Sequence, residues 1–177
     1  HTWRTFTLIE CGRIAEAIAS AQALDQTDEE SRNSDYSYPK SQAGLALALS
    51  LAGDLRRARE VAHGLVAFGR ANGSARAEAS GHQELAIHWT VADDAVRSAA
   101  AAEAGIAAAK DPLFRAMNAM MLAGALLGAG RDDAALDVCS EWLPYLERNR
   151  NDCFGLRLRE VRTIAELRRG RMSDGLR

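Results

Sequence analysis

The sequence is poor in residues that interrupt helices or build strands. Only three prolines occur in 177 residues, and no run alternates β-branched or aromatic residues with polar ones. Proline breaks a helix interior, and alternation of that kind marks a half-buried strand. Because helix breakers and strand patterns are scarce while Ala, Leu, Arg and Glu are abundant, the sequence predicts an all-α fold.

Paired cysteines, an excess of one charge and long apolar runs are missing as well. The three cysteines form no C-x-x-C pair, which favours a reducing, cytoplasmic setting: they are Cys11, Cys139 and Cys153. Lys and Arg number 22 against 24 Asp and Glu, so no overall field attracts nucleic acid or an anionic membrane. No apolar run approaches the roughly 20 residues of a membrane span. We therefore expect neither direct nucleic-acid binding nor a membrane segment.

The two ends of the chain lack recognisable boundary signals. His1 is no initiator methionine and starts no signal-peptide pattern, and we interpret it as left over from a tag. A helix-like segment restarts shortly before Arg177. We expect residues 1–177 to form a single domain cut from a longer protein.

Five short segments repeat a turn residue followed, five positions later, by a small residue. The turn residues are spaced 41, 37, 40 and 40 positions apart: Gly12, Gly53, Thr90, Gly130 and Gly170. The small residues at +5 are Ala17, Ala58, Ala95, Ala135 and Gly175, and those at +9 are Ala21, Ala62, Ala99 and Cys139. Glycine suits a helix end because it readily adopts the left-handed conformation. We predict that each turn separates a helix A from a helix B and that the small residues let the pair pack closely.

Amphipathic periodicity predicts the helices themselves. Their expected ranges are 2–10, 13–24, 39–52, 54–71, 75–89, 92–110, 112–129, 131–149 and 153–169, with a loop at 25–37. Asp111 followed by Pro112 is typical of a helix start. Pro144 falls inside the eighth helix and is expected to kink it or end it near Leu143.

The repeated pattern resembles the tetratricopeptide repeat, in which helix A ends at glycine and helix B carries alanine five positions later. One set of matching residues is Ala46, Leu49, Gly53 and Ala58, and a second is Leu122, Ala123, Leu126, Gly130 and Ala135. The period of about 40 residues exceeds the usual 34. Long, alanine-rich units of this kind resemble the repeat regions of MalT-type LuxR regulators and multidomain bacterial nucleotide cyclases.

This resemblance implies a right-handed superhelix of about four and a half antiparallel helix pairs. The repeats would be approximately 1–37, 38–73, 74–110, 111–151 and 152–177, the last one truncated. In the families named, such repeats bind a partner or effector. The resemblance thus implies a non-catalytic module of a larger bacterial signalling or transcription-regulatory protein that binds a protein or peptide. A small-effector sensor and a self-association scaffold are the alternatives.

Residues typical of catalytic sites do not converge in the sequence. It contains no Gly-rich phosphate loop, no G-x-S-x-G elbow and no H-E-x-x-H motif. His82 lies on the apolar stripe of the fifth helix, where either a structural histidine or a ligand contact would fit. Glu84 and His88 are expected to form a helix-surface pair rather than half a metal site. We therefore expect no enzymatic activity, no cofactor and no metal.

A groove is expected where the A helices line the concave side of the superhelix, at 39–52, 75–89, 112–129 and 153–169. The residues predicted to face a peptide or ligand there are Arg76, His82, Gln83, Arg115, Asn118 and Arg159. The small-effector alternative instead requires a closed pocket lined by His82 and Trp89.

Two other features have ordinary explanations beside functional ones. The segment 25–36 carries five acidic residues against one arginine and is expected to be a solvated loop, or else a docking site for a basic partner. Three methionines and an aromatic residue at helical spacing are expected to pack in the core, although such a cluster also suits an adaptable peptide groove: Phe114, Met117, Met120 and Met121.

Overall fold

The computed structural model describes residues 2–26 and 37–170, which form nine helices and no strand. They are α1 (Thr2–Glu10), α2 (Ile14–Gln26), α3 (Ser37–Leu51), α4 (Leu55–Ala71), α5 (Ala75–Val91), α6 (Ala95–Ala108), α7 (Pro112–Gly128), α8 (Asp132–Arg148) and α9 (Asp152–Arg168). The all-α class is confirmed, and every predicted helix boundary lies within three residues of the observed one. Most of the acidic segment 25–36 and the repeat position Gly175 lie outside the described residues.

Six of the connections between helices share one hydrogen-bond pattern. At the end of α3, for example, the N–H of Gly53 donates to the carbonyl of Ser50 and the N–H of Asp54 donates to that of Leu49. This is the Schellman motif, which needs a left-handed residue just after the helix. The left-handed residues of the six turns are Gly12, Gly53, Gly73, Asp93, Gly130 and Arg150. Four of these turns lead from an odd to an even helix and two from an even to an odd helix, whereas the connection from α6 to α7 lacks the motif because Ala109 is extended.

The turn predicted at Thr90 lies three residues further on. Helix α5 continues through Thr90 to Val91, and Asp93 takes the left-handed conformation with φ of 59°. A β-branched threonine fits that conformation poorly, whereas a short aspartate tolerates it. Thr90 stays helical, and its hydroxyl donates to the carbonyl of Ala86.

Because the turn lies at Asp93, the small residues at +5 and +9 of the third helix pair differ from the predicted ones. Counted from Asp93, the positions at +5 and +9 are Ser98 and Ala102, and both are fully buried. The predicted residues Ala95 and Ala99 are partly exposed instead. The rule of small residues holds in the other described pairs, where the buried residues are Ala17, Ala21, Ala58, Ala62, Ala135 and Cys139.

Pro144 does not end the helix in which it lies. Helix α8 continues to Arg148, so the expected end near Leu143 is wrong. Proline removes the donor that the carbonyl of Ser140 would otherwise accept from, but both residues lie on the exposed side of α8. Water can take the place of the missing donor there.

The helices form a layered stack. Each helix packs against the next one in the chain, and odd-numbered helices also pack against each other, α1 on α3, α3 on α5, α5 on α7 and α7 on α9. Among the described helices, no two even-numbered ones make such a contact. The odd-numbered helices thus form a continuous layer, and the even-numbered helices lie separately along one side of it.

The largest core cluster lies between α7, α8 and α9. It contains Ala116, Ala119, Ala123, Cys139, Trp142, Leu143, Leu146 and Leu158. Met120 packs against this cluster, as expected of a core methionine. Within the described part of the chain, no helix combines the length and apolar character needed to cross a membrane.

Candidate functional site

Each odd-numbered helix is packed on several sides and open on one. Positions are counted back from the left-handed residue that ends the helix. In α5, Ala86 at −7 accepts a hydrogen bond from Ser98 of the following helix, and Gly81 at −12 lies against Val66 of the preceding even helix. In α3, Gly44 at −9 lies against Thr5 of the preceding odd helix. Because successive residues turn by about 100°, positions −13, −6 and −2 point away from both even-numbered neighbours.

Apolar residues occupy much of this open side. The residues at −6 are Phe6, Leu47, Ile87, Gly124 and Ile164, and those at −2 are Glu10, Leu51, Val91, Gly128 and Arg168. Position −13 is more polar, with Lys40, Ser80, Met117 and Arg157. Leu51 and Val91 are 50% and 46% exposed, which is high for large aliphatic side chains. We call the surface formed by Leu47, Leu51, Ile87, Val91 and Ile164 the odd-helix face.

Gly124 interrupts the row of large residues on this face. A Cβ atom added to Gly124 would meet no atom within 4 Å, so the position is open. Ile87 of α5 and Ile164 of α9 occupy the same register in the neighbouring odd helices. The row of large residues on the odd-helix face is therefore interrupted at α7, between Ile87 and Ile164.

Arg76 is the predicted groove residue that remains nearest to the open side. Its guanidinium lies 3.3 Å from a carboxylate oxygen of Asp111 and 5.2 Å from the ring centre of Phe114. Both partners belong to the start of α7. Arg76 thus links α5 to α7 at the edge of the odd-helix face.

Two other predicted arginines lie towards the even-numbered helices. The guanidinium of Arg115 lies 5.7 Å from the ring centre of Trp142, and that of Arg159 lies 2.9 Å from a carboxylate oxygen of Glu147. Trp142 and Glu147 both belong to α8. The structure therefore does not bring Arg76, Arg115 and Arg159 onto one surface.

The two predicted amides are interior residues. Asn118 is fully buried and donates to the carbonyl of Ala79 in α5, at 3.3 Å, and to that of Phe114, at 2.9 Å. Its side chain fills the space beside Gly105 of α6, where a Cβ atom would overlap it. Gln83 is also buried. Asn118 joins three helices and is closed to a ligand, which corrects its expected place in the groove.

His82 and Trp89 lie on the side of α5 between the even-numbered helices. Burial lowers the pKa of His82, and the nearby Arg70 lowers it further. The Trp89 ring is flanked by Arg59 of α4 at 5.9 Å and by Arg97 of α6 at 4.7 Å. Guanidinium groups of the protein itself thus occupy the space around Trp89 where the effector pocket was predicted.

Glu84 and His88 form no surface pair, since both are buried in α5. Burial raises the pKa of Glu84 to about 8, and one of its carboxylate oxygens has no hydrogen-bond partner. Burial also lowers the pKa of His88, whose Nδ1 has no partner either. A buried group shifts towards its neutral form, so Glu84 is protonated and His88 uncharged at neutral pH. In residues 2–26 and 37–170, no three His, Cys, Asp or Glu side chains converge as metal ligands would.

The odd-helix face was missed because the predicted turn at Thr90 shifted the register of α5. Counting back six and two residues from Asp93 leads to Ile87 and Val91, which align with Leu47 and Leu51 counted from Gly53. A search for residues that tolerate the left-handed conformation could have found this alignment. No protein-family model matches the chain, and no curated protein is significantly similar to it.

Proposed function

We propose that this chain is a non-catalytic module that binds a protein or peptide partner along the odd-helix face. The observation that carries the proposal is the continuous layer of odd-numbered helices, whose open side exposes aligned apolar residues. Contiguous exposed apolar surface is typical of interaction sites. The resemblance to bacterial signalling and transcription-regulatory proteins supports a place for the module within such a larger protein.

The spacing of the odd-numbered helices indicates the form of the partner. Packed helices lie about 8–10 Å apart, and an extended peptide advances about 3.3 Å per residue. A peptide crossing the helices would therefore place an apolar side chain on each neighbouring helix at about every third residue. Gly124 leaves its position on α7 open, so one of these peptide side chains can be larger there.

The proposal includes the superhelix implied by the resemblance to tetratricopeptide repeats. Successive odd-numbered helices contact each other, whereas the described even-numbered helices do not. This difference supports a stack that curves with its odd-helix face inwards. A right-handed superhelix of about four and a half pairs is the geometry we propose. An experimental structure of the full chain tests both the handedness and the number of pairs.

Peptide selection tests the binding function. Random peptides displayed on phage would be selected on the full chain and their affinities measured by fluorescence anisotropy. We expect enriched peptides with apolar residues at every third position, bound at least tenfold more weakly by Ile87→Asp and by Leu51→Asp. The matched control is Val96→Asp, which places the same charge at a 76% exposed residue of the even-numbered helix α6.

Three results would contradict binding at the odd-helix face. One is peptides that bind all these variants equally, and another is a selection that enriches no sequence. The third is a dimer in light scattering that Ile87→Asp dissociates, which would replace peptide binding by self-association. A rise in melting temperature with a sugar or nucleotide that persists in Ile87→Asp would favour the small-effector sensor.

A further inference from the structure

Two even-numbered helices, α4 and α6, pack on the same side of α5 without packing against each other. The residues of α5 between them are spaced four, three and four positions apart: Glu78, His82, Leu85 and Trp89. Val66 of α4 and Ala101 of α6 pack around the buried Leu85. A channel with an apolar base therefore runs along α5, and its floor and both walls are described helices. We call it the even-helix channel.

The α4 wall of the even-helix channel is basic. Its residues have the same spacing as those of the floor: Arg59, His63, Val66 and Arg70. The guanidinium of Arg59 lies 5.9 Å from the ring centre of Trp89. Burial lowers the pKa of His88, and the positive charges of Arg59 and His63 lower it further. Arg59 and His63 thus lie on the side of α4 that faces α5.

The opposite wall adds a further cation. The guanidinium of Arg97 in α6 lies 4.7 Å from the ring centre of Trp89 and pairs with Asp94 at 3.4 Å. Arg70 pairs with Glu78 at 2.7 Å, whereas Arg59 forms no ion pair among the described residues. Each guanidinium has five N–H donors, so these contacts leave several donors for a ligand.

The basic wall is specific to this channel. Counted forward from the left-handed residue before each even-numbered helix, Arg59 and His63 lie at +6 and +10. The same positions hold Ile18 and Gln22 in α2, Ala99 and Glu103 in α6, and Leu136 and Ser140 in α8. Packing of an even-numbered helix in this stack therefore does not require basic residues there.

We propose that the even-helix channel binds an acidic, extended segment of a partner protein. Its cations extend over about 16 Å from Arg59 to Arg70, since a helix rises about 1.5 Å per residue. One carboxylate or phosphate group cannot span this length, whereas roughly five residues of an extended peptide do. The chain has a net charge of −2, which gives no general attraction for nucleic acid. The channel is separate from the odd-helix face and goes beyond the proposed function.

The spacing of the cations defines a probe. His63 lies about 6 Å from Arg59 along the helix axis and about 10 Å from Arg70. These distances correspond to about two and three residues of an extended peptide. Glutamates at positions 1, 3, 4 and 6 match the spacing in either chain direction. The probe is therefore a labelled, end-capped peptide Glu-Leu-Glu-Glu-Leu-Glu, whose leucines face the apolar base.

Binding of this peptide to the full chain would be measured by fluorescence anisotropy at low ionic strength, with melting curves to check that every variant folds. We expect saturable binding that Arg59→Gln and Arg97→Gln each weaken at least fivefold. The matched control is Arg56→Gln, which removes the same charge from a 70% exposed side chain of α4 that pairs with Glu60. Arg56→Gln and Ile87→Asp should leave the affinity unchanged.

Competing ligands identify the class of anion. A peptide with glutamine in place of every glutamate should bind at least tenfold more weakly, because it lacks the charge that the arginines attract. Inorganic phosphate and oligothymidylate, each at the concentration of negative charge at which unlabelled peptide displaces half of the probe, should displace less than a tenth of it.

Several results would overturn the proposal. They are a peptide that does not bind at the highest soluble protein concentration, equal binding by Arg59→Gln and Arg97→Gln, and an equal loss in Arg56→Gln. Displacement by phosphate or oligothymidylate as effective as that by the peptide would assign the channel to another anion.

The acidic segment of the chain itself provides one more test. A variant with Asp28→Asn, Glu29→Gln, Glu30→Gln and Asp35→Asn should bind the probe as the unmodified chain does. Binding more than tenfold tighter would show that this segment competes for the channel and would contradict a separate partner. Since Ile87→Asp tests only the odd-helix face, failure of one proposal is distinguishable from failure of the other.

Discussion

Helices α5 and α9 have the same length and register but very different surroundings. Both contain 17 residues and end at a left-handed residue, Asp93 or Gly170. Helix α5 packs against α3, α4, α6 and α7, whereas α9 packs against α7 and α8. As a result, the polar residues Gln83 and Glu84 of α5 are buried, while large apolar residues of α9 are exposed.

This difference shows that position in the stack decides burial in a helical repeat. Each odd-numbered helix has faces for up to four neighbours, and a residue is buried only where the neighbour exists. The central helix therefore buries nearly every residue from Gly81 to His88, whatever its polarity. Among the described helices, α9 has no counterpart of the two neighbours that follow α5. Four predictions test and refine this comparison.

The largest expected effect contrasts two leucines of α9. Leu158 is fully buried in the core cluster, and we expect Leu158→Ala to destabilise the fold by about 3 kcal/mol through lost contacts and a cavity. Leu156→Ala should change stability by less than about 0.5 kcal/mol, because its side chain is exposed. Urea denaturation measures both. Equal losses would mean that Leu156 is buried in the folded chain.

Glycine-to-alanine substitutions compare the two helices directly. A Cβ atom at Gly81 of α5 would lie 2.7 Å from the backbone nitrogen of Val66, which cannot move aside easily. We expect Gly81→Ala to cost about 2 kcal/mol from overpacking. In α9 a Cβ atom at Gly155 would make an ordinary contact of 3.9 Å with Leu146.

Gly155→Ala should therefore stabilise the protein by about 0.5–1 kcal/mol through its higher helix propensity. Thermal unfolding of the two variants beside the unmodified chain measures the contrast. A destabilising Gly155→Ala would contradict the looser packing of α9.

The buried carboxyl of Glu84 in α5 predicts that the stability depends on pH. Burial raises the pKa of Glu84 in the folded state to about 8, above its ordinary value of 4.5, so the folded state retains a proton that the unfolded state has lost. Stability should fall as pH rises through this window, by about 2 kcal/mol between roughly pH 5 and pH 7. Glu84→Gln removes this contribution and should give a flatter stability profile across the same range.

The matched control is Glu103→Gln, which removes a carboxylate from an exposed position of α6. Chemical denaturation at several pH values would compare the three proteins. The lowered pKa values of His82 and His88 act in the opposite direction, with stability lost as pH falls below about 6.5, and they are common to all three. A Glu84→Gln profile parallel to that of the unmodified chain would contradict the burial of Glu84.

The smallest expected effect concerns the turns that end the helices. Arg150 adopts the left-handed conformation with φ of 52°, which disfavours residues with a Cβ atom. We expect Arg150→Gly to be more stable than Arg150→Ala by about 1 kcal/mol, since both variants lose the charge but only glycine relieves the strain. Thermal unfolding measures the difference. Equal stabilities would mean that this turn relaxes without cost.

Several elements of the fold were predictable because they depend on neighbours in the sequence. Helix periodicity, the Asp111–Pro112 start and the turn glycines act within a few residues, and the observed boundaries agree with them. The third turn was predicted at Thr90 because the left-handed residue there is Asp93, and aspartate occupies such positions less often than glycine. The interior role of Asn118 depends on Ala79 and Gly105, which lie far from it in the sequence.

By itself, the sequence determined the helical class, the length of the helices, the pairing turns and the small residues that allow close packing, because each follows from local propensity and spacing. Only the tertiary structure decided which faces those helices bury. Glu84 becomes a buried neutral acid and Leu156 an exposed leucine because α5 packs against four helices and α9, among the described residues, against two. Burial depends on helices far away in the chain, and helical periodicity carries no information about whether they are present.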